Sequence, residues 1–386
     1  MMNTLTNTVP RYFEPYVNDC FHNSYAAVLQ HMGLNPVLML ADYLSFMYDN
    51  KSEMIGVNYF YRSNTSVEFT EEELNTSLEF VYLPATSHYG STAGMHSKTR
   101  CRDRVNIEMY IEDDSGIAYS RLKELIDNGI PVIAAIDLYY MNYHRAYQKE
   151  HGLHCIVITG YNEEEGYFEL FDKFKLSSSD FDGRIPISDV NLGRVSDNPL
   201  PSEEKVKRPI RNLWIEIKAD KDFKITQDKL MHVLEESCRR LSGKKEVLGH
   251  RCGVEMLDAF MKDLLLKKEE ELDDKRISWY RNYLNSSFKV IARSRKRFMA
   301  FMGEMGAMLP EQLVSEVSGY LDDSSKHWDI CASIVLKMGI KKSLSLTDDL
   351  VRQLGEIRNI ESGIANVLEN YFDRQRDSNR RSNLYA

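Results

Sequence analysis

A cysteine at position 20, a histidine at 154 and an aspartate at 172 are the residues of this chain whose types and spacing suit covalent chemistry. A cysteine attacks as its thiolate, so it needs a base to draw off its proton, and that base needs a partner to hold its ring. The surroundings of Cys20 favour the thiolate. Tyr25, Val28, Leu29 and Met32 follow the i, i+3, i+4, i+7 spacing of a helix with one buried face. Asn18 or Asp19 is placed to cap it, and Gly33 with Asn35-Pro36 to stop it. Cys20 then falls in the first turn, where the positive end of the helix dipole stabilises an anion. A small core residue at a helix start carries the same local signature, so the remaining chain has to decide.

The elements that would bring His154 and Asp172 together are two strands. His154-Cys155-Ile156-Val157-Ile158-Thr159-Gly160-Tyr161 and Tyr167-Phe168-Glu169-Leu170-Phe171-Asp172 are apolar runs of strand length, joined by the acidic, glycine-ended link Asn162–Gly166. In an antiparallel hairpin the start of one strand lies beside the end of the other, which places Asp172 next to His154. An earlier run, Ile130–Leu138, reads as a strand buried on both faces and follows a short helix over Ser120–Asn128 closed by Gly129. The three strands are expected to form a sheet facing the Cys20 helix. Cys155 points to the opposite face of its strand from His154 and is assigned to the core. His22 is directed elsewhere on its helix, and the rival bases His144 and His151 sit in a polar link. Cysteine at a helix start, histidine at a strand start about 130 residues later, then a polar residue at the next strand end is the order of papain-like thiol enzymes.

Elsewhere the sequence suggests a second helical piece from Val37 to Tyr48, a strand over 55–61, a short helix near Glu71-Leu74 and a polar loop from Ser87 to Arg100 carrying His88 and His96. Val195–Pro209 is the weakest-structured stretch, and Leu213–Ile217 a last strand. Beyond about residue 225 helical spacing dominates, with candidate helices at 226–242, 250–268, 275–306, 310–322, 324–340 and 346–373. Pro310 suits a helix start. The expected architecture is α+β: a papain-like catalytic domain over 1–220, with a Cys-bearing helix on an antiparallel sheet, followed by an all-α domain over 221–386.

With 386 residues, the chain can hold two cores. Its net charge of −9 argues against nucleic acid as the main partner. No basic segment followed by an apolar run opens the chain, and no stretch approaches the roughly 20 apolar residues of a membrane span, so a cytoplasmic protein is expected. The six cysteines are scattered and form no C-x-x-C pair, which speaks against both a disulfide scaffold and a thiolate metal site; no metal is expected.

Asn18-Asp19-Cys20, Asp137–Tyr143, His154–Asn162 and Phe171-Asp172 together resemble the N-terminal domain of the butirosin biosynthesis protein H family, over about residues 15–220. A weaker likeness to its partner domain lies in Gly253–Leu257 and Arg297–Phe301. The resemblance implies a papain-like cysteine domain, related in layout to C39-type peptidases, whose namesake transfers an acyl group from an acyl carrier protein to an aminoglycoside amine. It implies Cys20 as nucleophile, His154 as base and Asp172 as orienting group, in a cysteine-dependent acyltransferase of natural-product biosynthesis. No cofactor would be resident; the donor rides on the phosphopantetheine arm of the carrier. Papain-like enzymes often place a Gln about six residues before the nucleophile as oxyanion donor. Here that residue is Glu14, so the Cys20 N–H with Asn18 or another donor takes that place.

Tyr139, Tyr140, Tyr143 and Tyr147 precede His154 and are candidates to line the acyl or acceptor cleft, with strand and loop packing as the alternative. An acidic carrier calls for a basic dock, for which Arg293, Arg295, Lys296 and Arg297 form the densest cluster and Arg239, Arg240, Lys244 and Lys245 the next. A cysteine peptidase or amidase with the same triad, or a non-catalytic assembly protein on this fold, are the rival functions.

Overall fold

The computed structural model describes residues 2–5, 8–12, 20–41, 43–51, 53–57, 94–98, 105–173, 180–197, 209–220, 222–246, 251–270 and 272–384. The chain forms two compact units, one of Met1–Leu40 and Glu79–Lys224, the other of Ala41–Leu78 and Ile225–Ala386. The later border lies close to the expected 220/221, but residues 41–78 belong to the second unit rather than the first.

The first unit is mixed helix and sheet. Its strands are β1 (Met2–Thr4), β4 (Gly94–Lys98), β5 (Val105–Ile111), β6 (Val132–Asp137), β7 (Leu153–Asn162), β8 (Tyr167–Asp172), β9 (Phe181–Pro186) and β10 (Trp214–Ala219). They pair antiparallel in the order β4-β5-β10-β6-β7-β8-β9, with β1 added to the end of β7. The hairpin expected between 154–161 and 167–172 is present, with Val157 opposite Phe171 and Gly166 at φ 71° in the turn, a conformation glycine adopts without strain. Of the loop expected over Ser87–Arg100, residues 94–98 form β4 instead; the remainder, the helix expected near Glu71-Leu74 and residues 198–208 lie outside the described residues.

Helices α1 (Cys20–His31), α3 (Ser115–Asp127) and α4 (Ile187–Arg194) cover the sheet. On one face Leu122, Leu125 and Ile126 of α3 and Val190 of α4 pack with Ile156 and Ile158 of β7 and Phe168 and Leu170 of β8. The alternate residues Cys155 and Val157 share a cleft with Cys20, Asn23 and Ser24 of α1. A strand covered on both faces must be apolar throughout, which accounts for the unbroken run in β7. Tyr25 to Leu29 of α1 are all buried, as in a helix enclosed on all sides.

The second unit is helical but not all-α. Of the helix expected from Val37 to Tyr48, only α2 (Pro36–Met39) forms, in the first unit; Met47–Asp49 (β2) instead pairs with Met54–Gly56 (β3) as a ribbon. Phe46, Tyr48, Ile55 and Val57 point into the helical core, where Phe46 stacks on Trp328 with centroids 5.4 Å apart. The helices are α5 (Gln227–Leu241), α6 (Val254–Leu266), α7 (Asp274–Ser278), α8 (Asn285–Glu304), α9 (Glu311–Lys341) and α10 (Thr347–Leu384). The single helix expected over 275–306 is interrupted by a π-helical turn, Trp279–Leu284, facing Gly339, where a Cβ would lie 2.5 Å from that of Arg281. The break expected between 322 and 324 is absent: Ser324 is buried and donates to Glu361 at 2.8 Å, so α9 runs through. Gly253, at φ 83° beside the carbonyl oxygen of Leu241, donates its N–H to Phe46 O at 2.7 Å and ties the ribbon to α6.

The expected carrier dock meets this core and is corrected in part. Arg295 is buried and bidentate with Glu361, Nε to Oε1 and Nη2 to Oε2 both at 2.8 Å, while Nη1 donates to Ser45 O at 2.9 Å. Ile291, Arg295, Phe298 and Met302 lie on one stripe of α8, so the guanidinium faces inward and meets no partner surface. Lys296 pairs with Asp322, and Arg293 and Arg297 are half-buried. In the other cluster Arg240 is buried against Glu236, and Lys244 pairs with Glu369. Among the described residues, no helix is long and apolar enough to cross a membrane.

Candidate active site

Cys20 opens α1, partly exposed, at the first helical position. His154 is the second residue of β7 and Asp172 the last of β8. The register pairs Val157 with Phe171, so His154 and Asp172 are diagonal neighbours on one face of the hairpin. Nε2 of His154 lies 2.8 Å from Oδ2 of Asp172, with both side chains buried. The same imidazole hydrogen-bonds to Cys20. With Nε2 committed to Asp172, Nδ1 is the nitrogen left for the sulfur.

Burial alone would lower the pKa of His154, but it is raised well above the ordinary imidazole value. The charge of Asp172, then that of Cys20, and hydrogen bonds from both outweigh the desolvation. A histidine held protonated beside a cysteine sulfur is half of a thiolate–imidazolium pair.

The cleft at Cys20 is lined by Tyr12, Cys20, Asn23, Ser24, Cys155, Val157, Phe171, Asp172 and Lys173. Cys155 is buried, as expected of a core residue, and also borders the cleft at Cys20. Ser24 donates to Cys20 O at 2.9 Å, a bond that holds the first turn of α1. Lys173 at the edge pairs with Asp180 at 2.9 Å. The expected oxyanion donor Asn18, and Glu14 at the position where a Gln is usual, lie outside the described residues.

The tyrosines before His154 do not line this cleft. Tyr143 is half-buried and donates its hydroxyl to Oδ2 of Asp172 at 3.0 Å, its ring stacked on Phe181 at 4.3 Å between centroids. Tyr139 stacks on His151 at 4.4 Å, and the hydroxyl of Tyr147 accepts from Gln148. Both rival bases are placed otherwise. Nδ1 of His144 accepts from Ala146 N at 3.1 Å, and burial followed by the charge of His154 lowers its pKa, so it stays neutral. Nδ1 of His151 lies 2.7 Å from Oδ2 of Asp137.

Asp137, which spacing alone did not mark, anchors this segment. Fully buried at the end of β6, it accepts from Tyr139 N (3.1 Å), Gly152 N (3.0 Å) and Ser196 Oγ (2.6 Å) besides facing His151. Its one legible signal was an acidic residue ending an otherwise apolar strand. Among the described residues, no cluster of histidine, cysteine and carboxylate side chains is arranged to hold a metal ion.

Residues 19–173 match the family described as butirosin biosynthesis protein H, N-terminal. No curated protein matches the chain. Over the stretch that holds Cys20, His154 and Asp172 alike, the chain is similar to the butirosin biosynthesis protein H N-terminal family.

Proposed function

We propose that Cys20, His154 and Asp172 are the relay of a papain-like cysteine acyltransferase that moves an acyl or aminoacyl group from a carrier-protein thioester to an amine in antibiotic biosynthesis. The observation that carries this reading is the buried His154 ring, hydrogen-bonded at once to Cys20 and to Asp172. The family match favours a biosynthetic reaction over hydrolysis, since it is described by a biosynthesis protein.

In the first half-reaction His154 holds the proton of Cys20, and the thiolate adds to the thioester carbonyl carbon. Collapse breaks the bond to the phosphopantetheine sulfur, which takes the proton and leaves an acyl thioester on Cys20. In the second, the amine adds to that thioester and His154 takes a proton from its nitrogen. The Cys20 sulfur then leaves and receives the proton. One thioester exchanged for another is close to balanced in energy, so the protein's task is to position the partners and keep water out.

Intact-protein mass spectrometry tests this. Incubation with acyl-pantetheine or acyl-carrier donors should add one acyl mass at Cys20, and an amine acceptor should remove it as amide. Product formed at the wild-type rate by Cys20→Ala overturns the covalent route. Release of free acid that no amine diverts assigns the same relay to a peptidase or amidase. Absence of any adduct, together with no selective alkylation of Cys20, favours an assembly protein.

A further inference from the structure

We propose that Tyr143 is a positioning residue of this relay, its hydroxyl holding the Asp172 carboxylate against His154. The inference rests on the reading of Cys20, His154 and Asp172 as a catalytic relay. Two donors converge on one oxygen: Nε2 of His154 at 2.8 Å and the Tyr143 hydroxyl at 3.0 Å from Oδ2 of Asp172. A carboxylate held by imidazole alone can turn about its terminal bond, which for Asp is broad and roughly two-fold. A second donor from another direction fixes its plane, and with it the imidazole ring.

The tyrosine is itself held. Its ring stacks on Phe181 of β9 with 14° between the planes, and His144 meets its edge at 6.5 Å. The segment between β6 and β7 that carries it closes on itself at Asp137, through Tyr139 N, Gly152 N and Ser196 Oγ, and Leu138 N donates to Gly152 O at 2.9 Å. His144 N donates to Met141 O at 2.9 Å, setting the turn at Tyr143. Burial, then the charge of Asp172 and its hydrogen bond, push the Tyr143 pKa well above the ordinary phenol value, so the hydroxyl stays a donor wherever the enzyme works.

The titratable and charged groups around the pair come from several elements. They are Cys20 of α1, Cys155 of β7, Lys173 after β8 and His144 of the Tyr143 segment, with Arg145 and Glu150 acting on His144. Tyr143 supplies Asp172 with its second donor.

Tyr143→Phe removes the hydroxyl and keeps the ring on Phe181, so the fold survives. The measurement is the rate of Cys20 alkylation by iodoacetamide across pH, which needs no acyl donor. In the full-length variant, the neutral-pH rate should fall roughly tenfold, less than the 10²–10⁴ that a proton-transferring group itself contributes, because Tyr143 acts through Asp172. The acid limb should move to higher pH, and kcat for acyl transfer should fall with KM unchanged. In an Asp172→Asn background the same change should have no further effect on alkylation. A Tyr143→Phe profile superimposed on wild type, or an equal additional loss in the Asp172→Asn background, overturns the proposal. Normal alkylation behaviour of the wild type without acyl-enzyme overturns the acyltransferase reading instead, and the alkylation profiles still decide the role of Tyr143.

Discussion

The imidazole of His154, at the start of β7, and the carboxylate of Asp172, at the end of β8, meet at 2.8 Å because one antiparallel hairpin sets them diagonally on the same face. The pairing is thus built into a turn of four residues, Glu163–Gly166, and the remaining question at the site is what each member contributes. Asp172→Asn keeps the shape but donates where the carboxylate accepts, so Nε2 loses its acceptor. Acylation of Cys20 should fall on the order of 10³–10⁴, read by single-turnover mass spectrometry; a loss below tenfold would deny Asp172 its orienting role.

His154 carries a pH signature with a defined sign. Its folded pKa is raised, so the charged ring stabilises the fold fully below the unfolded value of about 6.5 and loses that contribution as pH rises through the folded value. His154→Gln should therefore lower the melting temperature most at or below about pH 6.5, with the difference from wild type shrinking in alkaline buffer. Thermal melts from pH 5.5 to 9.5 check this, and a difference that grows with pH contradicts it.

Glu361 holds the buried Arg295 and accepts from Ser324 and Trp328 as well. Glu361→Ala strands the guanidinium and should destabilise the helical unit by about 3–5 kcal/mol. Replacing both partners, Arg295→Met with Glu361→Leu, should cost less than Glu361→Ala alone. Denaturant unfolding of the full chain followed by far-UV circular dichroism supplies both values. Charge reversal at Arg295 should then act by unfolding this unit and not by weakening a carrier dock.

Asp137 gathers three donors and His151 at the root of the Tyr143 segment. Asp137→Ala leaves buried donors without an acceptor and should cost about 1–3 kcal/mol, with new proteolytic cuts between residues 138 and 152. Limited proteolysis resolved by mass spectrometry locates them; an unchanged cleavage pattern counts against the anchor.

Gly253 occupies a left-handed backbone position where a Cβ would fall 2.2 Å from Leu241 O. Gly253→Ala must displace the α5–α6 connection or the ribbon strand that Gly253 N–H holds. A loss of more than about 1–3 kcal/mol is expected from the backbone strain together with the clash, measured by the same unfolding experiment.

How much of this was legible follows from what each signal measures. The runs over 132–137, 154–161 and 167–172 were readable as strands because they are covered on both faces, which leaves no polar alternation to confuse. The sheet's outer members were less so. β5 alternates Val105, Ile107, Met109 and Ile111 with polar and aromatic residues, a short period-two signal, whereas Gly183, Arg184 and Pro186 dilute the pattern in β9. The stretch after α2 reads as helix by composition, but Phe46 and Tyr48 obey the core of a different unit. Arg295 shows that a charge cluster in sequence has no direction until its helical phase is counted, and that phase puts it beside Ile291 and Phe298. Cys20, His154 and Asp172 were reachable because two of them share a hairpin. Tyr143 was visible only as one of four tyrosines, because its role depends on how the 138–152 segment closes at Asp137.

The ribbon of β2 and β3 has a consequence for anyone handling the gene. The polypeptide leaves the first unit after Leu40, contributes to the second, and returns at Glu79 before leaving again at Lys224. A stop codon near residue 224 therefore does not release an intact first half; it yields a fragment in which Phe46, Tyr48, Ile55 and Val57 have lost the hydrophobic surroundings supplied by later residues. Likewise, an expression fragment beginning at 225 lacks a piece of its own interior. Neither half is a self-contained module, and separate production of the two calls for moving residues 41–78 along with the helices, by circular permutation or by grafting the ribbon onto the helical part.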